Sequence, residues 1–275
     1  MDERFSRFPR HLAERARSMR LGDGVPALIA HPDWQNPAPF VLWMHGRTVN
    51  KELDPGRYLR WIRAGVAAVA IDLPFHGERA DETKQGPADS LDVIERALSE
   101  IDPVVADATA IEGGSLLDAE RIGLGGMSLG GMVALRRLCD AHTFKCAAVE
   151  ATSGALERYI YPADHGDPVA REVEHPRERV RTLDALSHLD TWREIPLLAL
   201  HSETDAMVPF STQSAFIEAL RERYADPSRI ELVTWPETGA PSEHLGFGRF
   251  ANDAKNAQTA FLARCLNASP PAAGA

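Results

Sequence analysis

Short apolar runs alternate with longer, more polar stretches along most of the chain. Six of these runs are almost continuously hydrophobic, which is typical of strands buried on both faces of a parallel sheet. They lie at residues 40–45, 66–74, 121–127, 146–152, 196–202 and 230–235, and another at 25–32 predicts an edge strand. The stretches between them predict helices at about 52–64, 89–113, 129–141, 211–225 and 248–266. This alternation predicts an α/β fold, a mostly parallel sheet flanked by helices and joined by right-handed crossovers.

Residues 154–194 interrupt the alternation. They are polar, contain no strong strand pattern, and stand between two predicted strands. Ligands of α/β proteins bind at the carboxyl ends of the strands, so this position predicts a small helical cap inserted above the binding edge of the sheet. The sequence has no internal repeat and no second regime of composition. We therefore expect residues 1–275 to form a single domain, with the small and Pro-rich residues 268–275 as a flexible tail.

Composition narrows the classes of partner. A chain of 275 residues with 44% hydrophobic and 25% charged residues is an ordinary globular protein that buries a sizeable core. Its net charge of −10 disfavours nucleic acid and anionic membranes as partners. No apolar run approaches the roughly 20 residues of a membrane span, and the charged N-terminal stretch does not have the pattern of a signal peptide.

The three cysteines lack metal-ligand spacing and predict reduced, mostly buried thiols. We expect a cytoplasmic protein, and the sequence sets no oligomeric state.

The stretch "GLGGMSLGG" places several glycines around Ser128 where a predicted strand meets a predicted helix. Glycine costs roughly 0.5–1 kcal/mol inside a helix or strand, so such a cluster needs a structural reason. A G-x-S-x-G pattern between a strand and a helix is the signature of a nucleophile elbow. This turn requires small residues two positions before and after the serine, which Gly126 and Gly130 supply. It would hold the Ser128 hydroxyl above the sheet, at the positive end of a helix.

A serine hydroxyl becomes a good nucleophile only when a base takes its proton. The base is usually a histidine oriented by a carboxylate, and in this arrangement the chain order is Ser, Asp or Glu, then His. Asp205 follows the strand predicted at 196–202, and His244 follows the next one. We therefore predict a triad of Ser128, Asp205 and His244. Two other carboxylates at strand ends stay open as the acid, those of Glu150 and Glu203.

The tetrahedral intermediate of acyl transfer needs amide donors for its oxyanion. The elbow supplies the backbone N–H of Leu129, and the loop after an early strand supplies that of Arg47, with Gly46 allowing a tight turn. We interpret His45 as a structural histidine in that loop. A second His-Gly pair follows the next strand, and its neighbourhood contains polar side chains that we interpret as braces between loops, namely Asp72, His76 and Arg79.

Together these motifs resemble the α/β-hydrolase family, over roughly residues 25–266. The resemblance is carried by "HGRTVNKE", "DLPFHGER", "GLGGMSLGG", "SETDAMVP" and "SEHLGFG", in the order that the family shows. Within it, the chain looks most like serine esterases of the dienelactone-hydrolase-like and prolyl-oligopeptidase-like groups. The resemblance implies the triad Ser128, Asp205 and His244, with the amides of Arg47 and Leu129 as the oxyanion hole. Dienelactone hydrolases use a cysteine nucleophile, so the serine here points to ordinary esters.

The sequence therefore predicts a serine hydrolase that cleaves small soluble carboxylic esters through an acyl-enzyme intermediate, with no metal and no organic cofactor. A peptidase or thioesterase with the same triad is the alternative within hydrolases. The alternative from another class is a non-catalytic α/β-hydrolase-fold protein that binds a ligand. Three aromatic residues of the predicted cap are candidates for substrate binding, Tyr159, Tyr161 and Trp192.

Overall fold

Eight strands form one sheet in the computed structural model, which describes residues 5–166 and 173–271. They are β1 (Ala16–Leu21), β2 (Val25–Ala30), β3 (Ala38–Met44), β4 (Ala67–Ile71), β5 (Leu117–Met127), β6 (Cys146–Glu150), β7 (Leu197–Ser202) and β8 (Ile230–Trp235). The spatial order is β1-β2-β4-β3-β5-β6-β7-β8. Strands β3 to β8 pair in parallel, while β2 pairs antiparallel with both β1 and β4. The predicted mostly parallel sheet is confirmed.

Helices cover both faces of the sheet. They are α1 (Arg10–Ala13), α2 (Pro55–Arg63), α3 (Ser90–Ala110), α4 (Leu129–Arg137), α5 (Leu156–Ile160), α6 (Arg177–Leu183), α7 (Phe210–Arg221) and α8 (Ala251–Cys265). Successive side chains of a strand point to opposite faces. On β3, Phe40 and Leu42 join the core beneath α3, α4 and α7, whereas Val41 and Trp43 join the core beneath α1, α2 and α8. The strands are therefore buried on both faces, which explains their continuous apolar runs.

The N-terminal edge of the sheet differs from the prediction. The run at 25–32 corresponds to β2, which is buried along its whole length and lies between β1 and β4. The edge strand is β1, which the apolar pattern did not predict. Its sequence, ARSMRL, places polar and charged residues at partly or fully exposed positions. The edge assignment of residues 25–32 was wrong because an exposed edge strand does not need an apolar run.

The segment 154–194 lies between β6 and β7, as predicted for the cap. Its described part contains α5 and α6, short 3-10 turns and no strand. Leu156 of α5 and Val180 of α6 are buried in the core that α3, α4 and α7 also cover. Residues 167–172 of the predicted cap and 272–275 of the predicted tail lie outside the described residues. The assignment of the whole chain to a single domain stays a prediction.

Two findings concern the expected surroundings of the protein. No helix within the described ranges is both long enough and apolar enough to cross a lipid bilayer. All three cysteines are free thiols; Cys139 and Cys146 are buried, and Cys265 is partly exposed. The cytoplasmic location stays a prediction.

Candidate active site

The turn from β5 into α4 holds Ser128 in a backbone conformation that is rare for any residue except glycine. Its φ is 52° and its ψ is −120°, a combination that persists only where the surroundings enforce it. A Cβ atom on Gly126 would come within 2.5 Å of the carbonyl oxygen of Gly130, and one on Gly130 within 2.5 Å of that of His45. Only glycine fits at either position. The close approach of the flanking backbones therefore explains the glycine pattern.

The backbone of Ser128 is fixed from the neighbouring strand as well. Its N–H donates to the carbonyl oxygen of Glu150 at the end of β6, at 2.9 Å. Its carbonyl oxygen accepts hydrogen bonds from the Thr152 hydroxyl at 2.6 Å and from the N–H of Met132 at 3.0 Å. These bonds oppose relaxation of the strained turn and hold the serine side chain at the carboxyl end of the sheet.

We expect Gly130→Ala to lower the free energy of unfolding by about 1–3 kcal/mol, because the added methyl group would meet fixed backbone rather than a mobile side chain. The loss would run against helix propensity, since alanine is favoured over glycine by roughly 0.5–1 kcal/mol inside a helix such as α4. Urea unfolding followed by circular dichroism measures the change. Gly86→Ala is the matched control, because a Cβ there has its nearest neighbour at 3.7 Å. Equal stability of the two variants would contradict the steric explanation.

The loops after β7 and β8 bring an acid and a histidine to Ser128. His244 Nε2 lies 2.9 Å from Ser128 Oγ, and His244 Nδ1 lies 2.7 Å from Asp205 Oδ2. The histidine and the aspartate are only 3% and 5% exposed. The second carboxylate oxygen, Oδ1, accepts the N–H groups of Met207 and Val208, both at 2.8 Å. With Nδ1 donating to Asp205, Nε2 is free to accept a proton from the serine hydroxyl.

The other two carboxylates considered for the acid have partners elsewhere. Glu203 accepts a hydrogen bond from the Thr234 hydroxyl at 2.7 Å. Glu150 is buried and forms two hydrogen bonds with the Arg57 guanidinium, at 2.6 and 2.7 Å. Neither carboxylate contacts His244 among the interactions of the described residues. The geometry therefore favours Asp205 over both.

The loop after β3 passes directly beside the serine. A Cβ atom built on Gly46 would lie 3.4 Å from the Cβ of Ser128. Within the described part of the chain, neither the N–H of Arg47 nor that of Leu129 donates to another residue. The two residues that the sequence predicts as oxyanion donors, one directly after Gly46 and one directly after Ser128, therefore keep their N–H groups available for a ligand.

His45 supports this loop. Its Nδ1 donates to the Gly46 carbonyl oxygen at 2.6 Å, and its Nε2 accepts the N–H of Leu73 at 3.0 Å. Burial lowers the pKa of His45 to about 4, so the ring is neutral at pH 7. The histidine therefore connects the β3 loop to the β4 loop through hydrogen bonds, in agreement with its interpretation as structural.

Of the residues interpreted as braces between loops, Asp72 connects two loops, whereas the bonds of His76 and Arg79 to backbone carbonyl groups lie within the loop after β4. Asp72 accepts the N–H of Lys51 at 3.0 Å and its Nζ at 2.8 Å. The Arg79 guanidinium donates to the carbonyl oxygen of Asp72 at 2.6 Å, and His76 Nδ1 bonds the Pro74 carbonyl oxygen at 2.7 Å. The Lys51 side chain is fully buried in this cluster, which the sequence did not predict because a lysine in a polar loop has no pattern that reveals burial.

A second residue that the sequence did not single out is Glu243, directly before His244. Its carboxylate accepts both the N–H and the hydroxyl of Thr238, at 2.6 and 2.7 Å, the N–H of Gly239 at 2.6 Å and the hydroxyl of Ser202 at 2.9 Å. The backbone N–H of Thr238 is the largest of the influences that lower the pKa of Glu243, to about 2. The carboxylate is therefore charged throughout the neutral range.

The turn that Glu243 closes is strained. Ser242 and Glu243 have φ values of 53° and 51°, which non-glycine residues rarely adopt. The Ser242 carbonyl oxygen accepts the N–H of Ala206 at 3.0 Å, next to Asp205 in the acid loop. The hydrogen bonds of Glu243 thus hold the turn that precedes His244, which makes Glu243 a candidate positioning residue.

We expect Glu243→Gln to lower kcat about tenfold with little change in KM, since the amide group would face one of the N–H donors and the turn would shift. A small displacement of a catalytic group costs up to about a hundredfold in rate. Steady-state hydrolysis of p-nitrophenyl acetate measures both constants. Glu237→Gln, an exposed change in the same loop, is the control. A rise in KM at constant kcat would show that Glu243 does not position His244.

Ser128 and His244 open into a cavity of about 510 Å³. Its lining is mostly apolar and comes from the loops after β3, β7 and β8 and from three helices, the cap helix α5, the long helix α3 and the first turns of α4. The helices contribute the side chains of Leu156, Ile160, Leu91, Ile94 and Met132. The sequence predicted the contribution of the cap but not that of α3, because the apolar face of a helix does not show which surface it covers.

Of the three aromatic candidates for substrate binding, Tyr159 lines the cavity and the other two do not. The Tyr161 hydroxyl donates to the His175 carbonyl oxygen, and its ring packs against a guanidinium. Trp192 donates through Nε1 to the Tyr224 hydroxyl at 2.8 Å and packs edge-on against Phe216. The structure thus places Tyr161 and Trp192 in the packing of the segment 154–194 and not in the lining of the cavity.

The parallel sheet, the serine turn between strand and helix, and the loops that follow the last two strands define an enzyme of the α/β-hydrolase class. Residues 100–269, more than half of the chain, match the model of the prolyl oligopeptidase family. The chain belongs to that family.

Known proteins that resemble the chain agree with this assignment. The esterase YjfP of Escherichia coli (strain K12) is 27% identical over 226 residues, which cover 79% of this chain and 88% of YjfP. YitV of Bacillus subtilis (strain 168) is 25% identical over 223 residues, which cover 76% of this chain and 86% of YitV. The crystal structure of TT1662 from Thermus thermophilus has a TM-score of 0.70 at 24% identity and covers 92% of this chain and 99% of that one.

These likenesses confirm the predicted α/β-hydrolase fold and the predicted resemblance to its esterase group. They also confirm that the chain is a hydrolytic enzyme.

Proposed function

We propose that the protein hydrolyses small carboxylic esters through an acyl-enzyme intermediate on Ser128, with His244 as the base and Asp205 as the acid. The observation that carries the proposal is the continuous pair of hydrogen bonds, 2.9 and 2.7 Å long, that joins Ser128 through His244 to Asp205 at the wall of an apolar cavity. A non-catalytic ligand-binding protein would not need these three groups in hydrogen-bond contact.

The proposed mechanism assigns each step to a group at the cavity. Ser128 Oγ attacks the acyl carbon while its proton passes to His244 Nε2, and the oxyanion accepts hydrogen bonds from the N–H groups of Arg47 and Leu129. The intermediate collapses when Nε2–H gives the proton to the departing alcohol oxygen. Water then loses a proton to Nε2 and attacks the acyl-enzyme, and the returned proton regenerates the serine. Asp205 stabilises the imidazolium and keeps Nδ1 protonated.

A peptidase is the second candidate, because the matching family is named for an oligopeptidase. The same triad attacks an amide carbonyl, but the leaving amine must be protonated before it departs. The mainly apolar lining of the cavity favours an ester over a peptide, whose backbone N–H and C=O groups would need hydrogen-bond partners there.

We propose further that residues 1–275 form one domain, with 154–194 as the cap over the cavity.

The direct test is covalent labelling followed by rapid kinetics. A fluorophosphonate should label the protein at one site, and mass spectrometry should locate the label on Ser128. p-Nitrophenyl acetate should give a burst of one p-nitrophenol per labelled site when deacylation limits the rate. Faster turnover of a peptide p-nitroanilide than of the ester would favour the peptidase. Absence of both label and turnover would overturn the serine-hydrolase mechanism.

A further inference from the structure

The large hydrophobic side chains that are exposed in the described part of the chain all lie at the cavity. They are Leu53, Met207 and Leu245, which are 56%, 37% and 52% exposed, and each lines the cavity that contains Ser128. Single exposed apolar residues scattered over a surface are ordinary, whereas a cluster at a cavity mouth marks a binding surface. We call these three residues the apolar rim.

Each residue of the rim stands on a loop that also carries a group of the proposed mechanism. Leu245 directly follows His244, and Met207 follows Asp205 by two residues and donates its N–H to the Asp205 carboxylate at 2.8 Å. Leu53 lies on the loop after β3 that carries Arg47. The rim residues therefore lie on the loops that carry the reacting groups, and the backbone of Met207 is bonded to Asp205 itself.

The chemistry places the leaving alcohol beside this rim. His244 Nε2 must reach the alcohol oxygen to protonate it, so the alcohol lies on the histidine side of the acyl carbon. Two residues of the rim, Met207 and Leu245, stand on the loops that hold the acid and the histidine. The acyl group, whose carbonyl oxygen must face the N–H groups of Arg47 and Leu129, is then directed to the buried lining residues of α5.

The charges around the cavity restrict what the rim accepts. Among the lining residues that the structure describes, none is Asp, Glu or Lys, and Arg47 is the one with a permanent charge. Among the described lining residues, no carboxylate balances a cationic alcohol group that loses its hydration there. A neutral branched or aromatic group would instead gain by covering apolar surface.

We propose that Leu53, Met207 and Leu245 form a leaving-group subsite for the neutral, apolar alcohol portion of an ester, and that this subsite disfavours cationic alcohols. The inference rests on the proposed function and extends it to the substrate class, which is esters with apolar groups on both sides of the ester bond.

Two butanoate esters of the same shape test the charge preference. The 3,3-dimethylbutyl and choline esters differ only in a central carbon or a quaternary nitrogen, so their kcat/KM ratio reports on charge. We expect the neutral ester to be favoured at least about tenfold, since an unpaired cation is costly to desolvate. Ethyl butanoate provides the reference for size, and the 3,3-dimethylbutyl ester should exceed it about tenfold as well. A pH-stat that titrates the released butanoic acid measures all three rates.

The variants Leu245→Ser and Met207→Ser should reduce the advantage of the 3,3-dimethylbutyl over the ethyl ester to below about threefold. Because each variant is judged by the ratio of its kcat/KM values for the two esters, a general effect of the substitution on the nearby catalytic groups cancels. Met19→Ser is the control, a partly buried methionine on β1 at the far edge of the sheet, and should keep the wild-type ratio.

If wild type hydrolyses ethyl butanoate through Ser128 but shows no preference for the larger or the neutral alcohol, the subsite is overturned and the proposed function stands. If Ser128→Ala hydrolyses the esters as fast as wild type, both are overturned.

Discussion

Replacing Ser128 with alanine should lower kcat for p-nitrophenyl acetate by at least about 1,000-fold. The substitution removes the nucleophilic oxygen and leaves the N–H groups of Arg47 and Leu129, which account for the small residual rate. The fold should survive, because the turn is held through the backbone of residue 128 by Glu150 and Thr152. Initial rates over a range of substrate concentrations measure the loss, and thermal unfolding confirms that the variant is folded.

Ser153→Ala is the matched control for this prediction. Ser153 is buried near the same end of the sheet, and its hydroxyl accepts the N–H of Ala155 at 3.0 Å. We expect its rate to stay within a few-fold of wild type, since a neutral hydrogen bond contributes only about 1 kcal/mol to stability. If the Ser128→Ala enzyme kept most of its kcat, the nucleophile would be another residue and the proposed triad would be wrong.

The serine turn could be predicted from sequence because its geometry restricts residue type. A strand that turns sharply into a helix brings backbones so close that Gly126 and Gly130 have no room for a Cβ, and this requirement is visible in the sequence itself. Asp205 and His244 could be predicted because parallel strands deliver the loops at their carboxyl ends to one edge of the sheet. These rules depend on local sterics and on topology, both of which the sequence pattern encodes.

The supporting residues could not be predicted, because their roles depend on partners far away in sequence. A buried Lys51 and a half-buried Glu243 are polar residues in polar loops, and nothing nearby in the sequence separates them from solvated residues. The same holds for Trp192 in the cap. Its sequence position makes it a reasonable candidate for lining the cavity, and only its hydrogen bond with Tyr224 shows that it packs elsewhere. Strand β1 could not be predicted for a related reason. It is a strand because it pairs with β2, and its own composition has no strand pattern.

Asp205→Asn should lower kcat by about 10,000-fold, although the two side chains have nearly the same shape. In the wild type, Oδ1 accepts the N–H groups of Met207 and Val208, and Oδ2 faces His244. An asparagine must keep its oxygen at the first position, because an NH2 group there would meet two donors. Its NH2 group would then donate to His244 Nδ1, so that Nε2 carries the proton and is unable to accept one from Ser128. The measurement is kcat at pH 7 to 8 with p-nitrophenyl acetate.

Glu203→Gln tests one of the two alternatives for the acid with an equally conservative change. Glu203 lies two residues before Asp205 in the same loop, yet its carboxylate accepts the Thr234 hydroxyl, and the amide oxygen of glutamine keeps that bond. We therefore expect a rate within about threefold of wild type, as for a surface residue outside the site. If Glu203→Gln lost most of its kcat while Asp205→Asn kept it, Glu203 would be the acid. The loop after β7 would then have to rearrange when substrate binds. The opposite pattern requires no movement, because the structure already pairs Asp205 with the histidine.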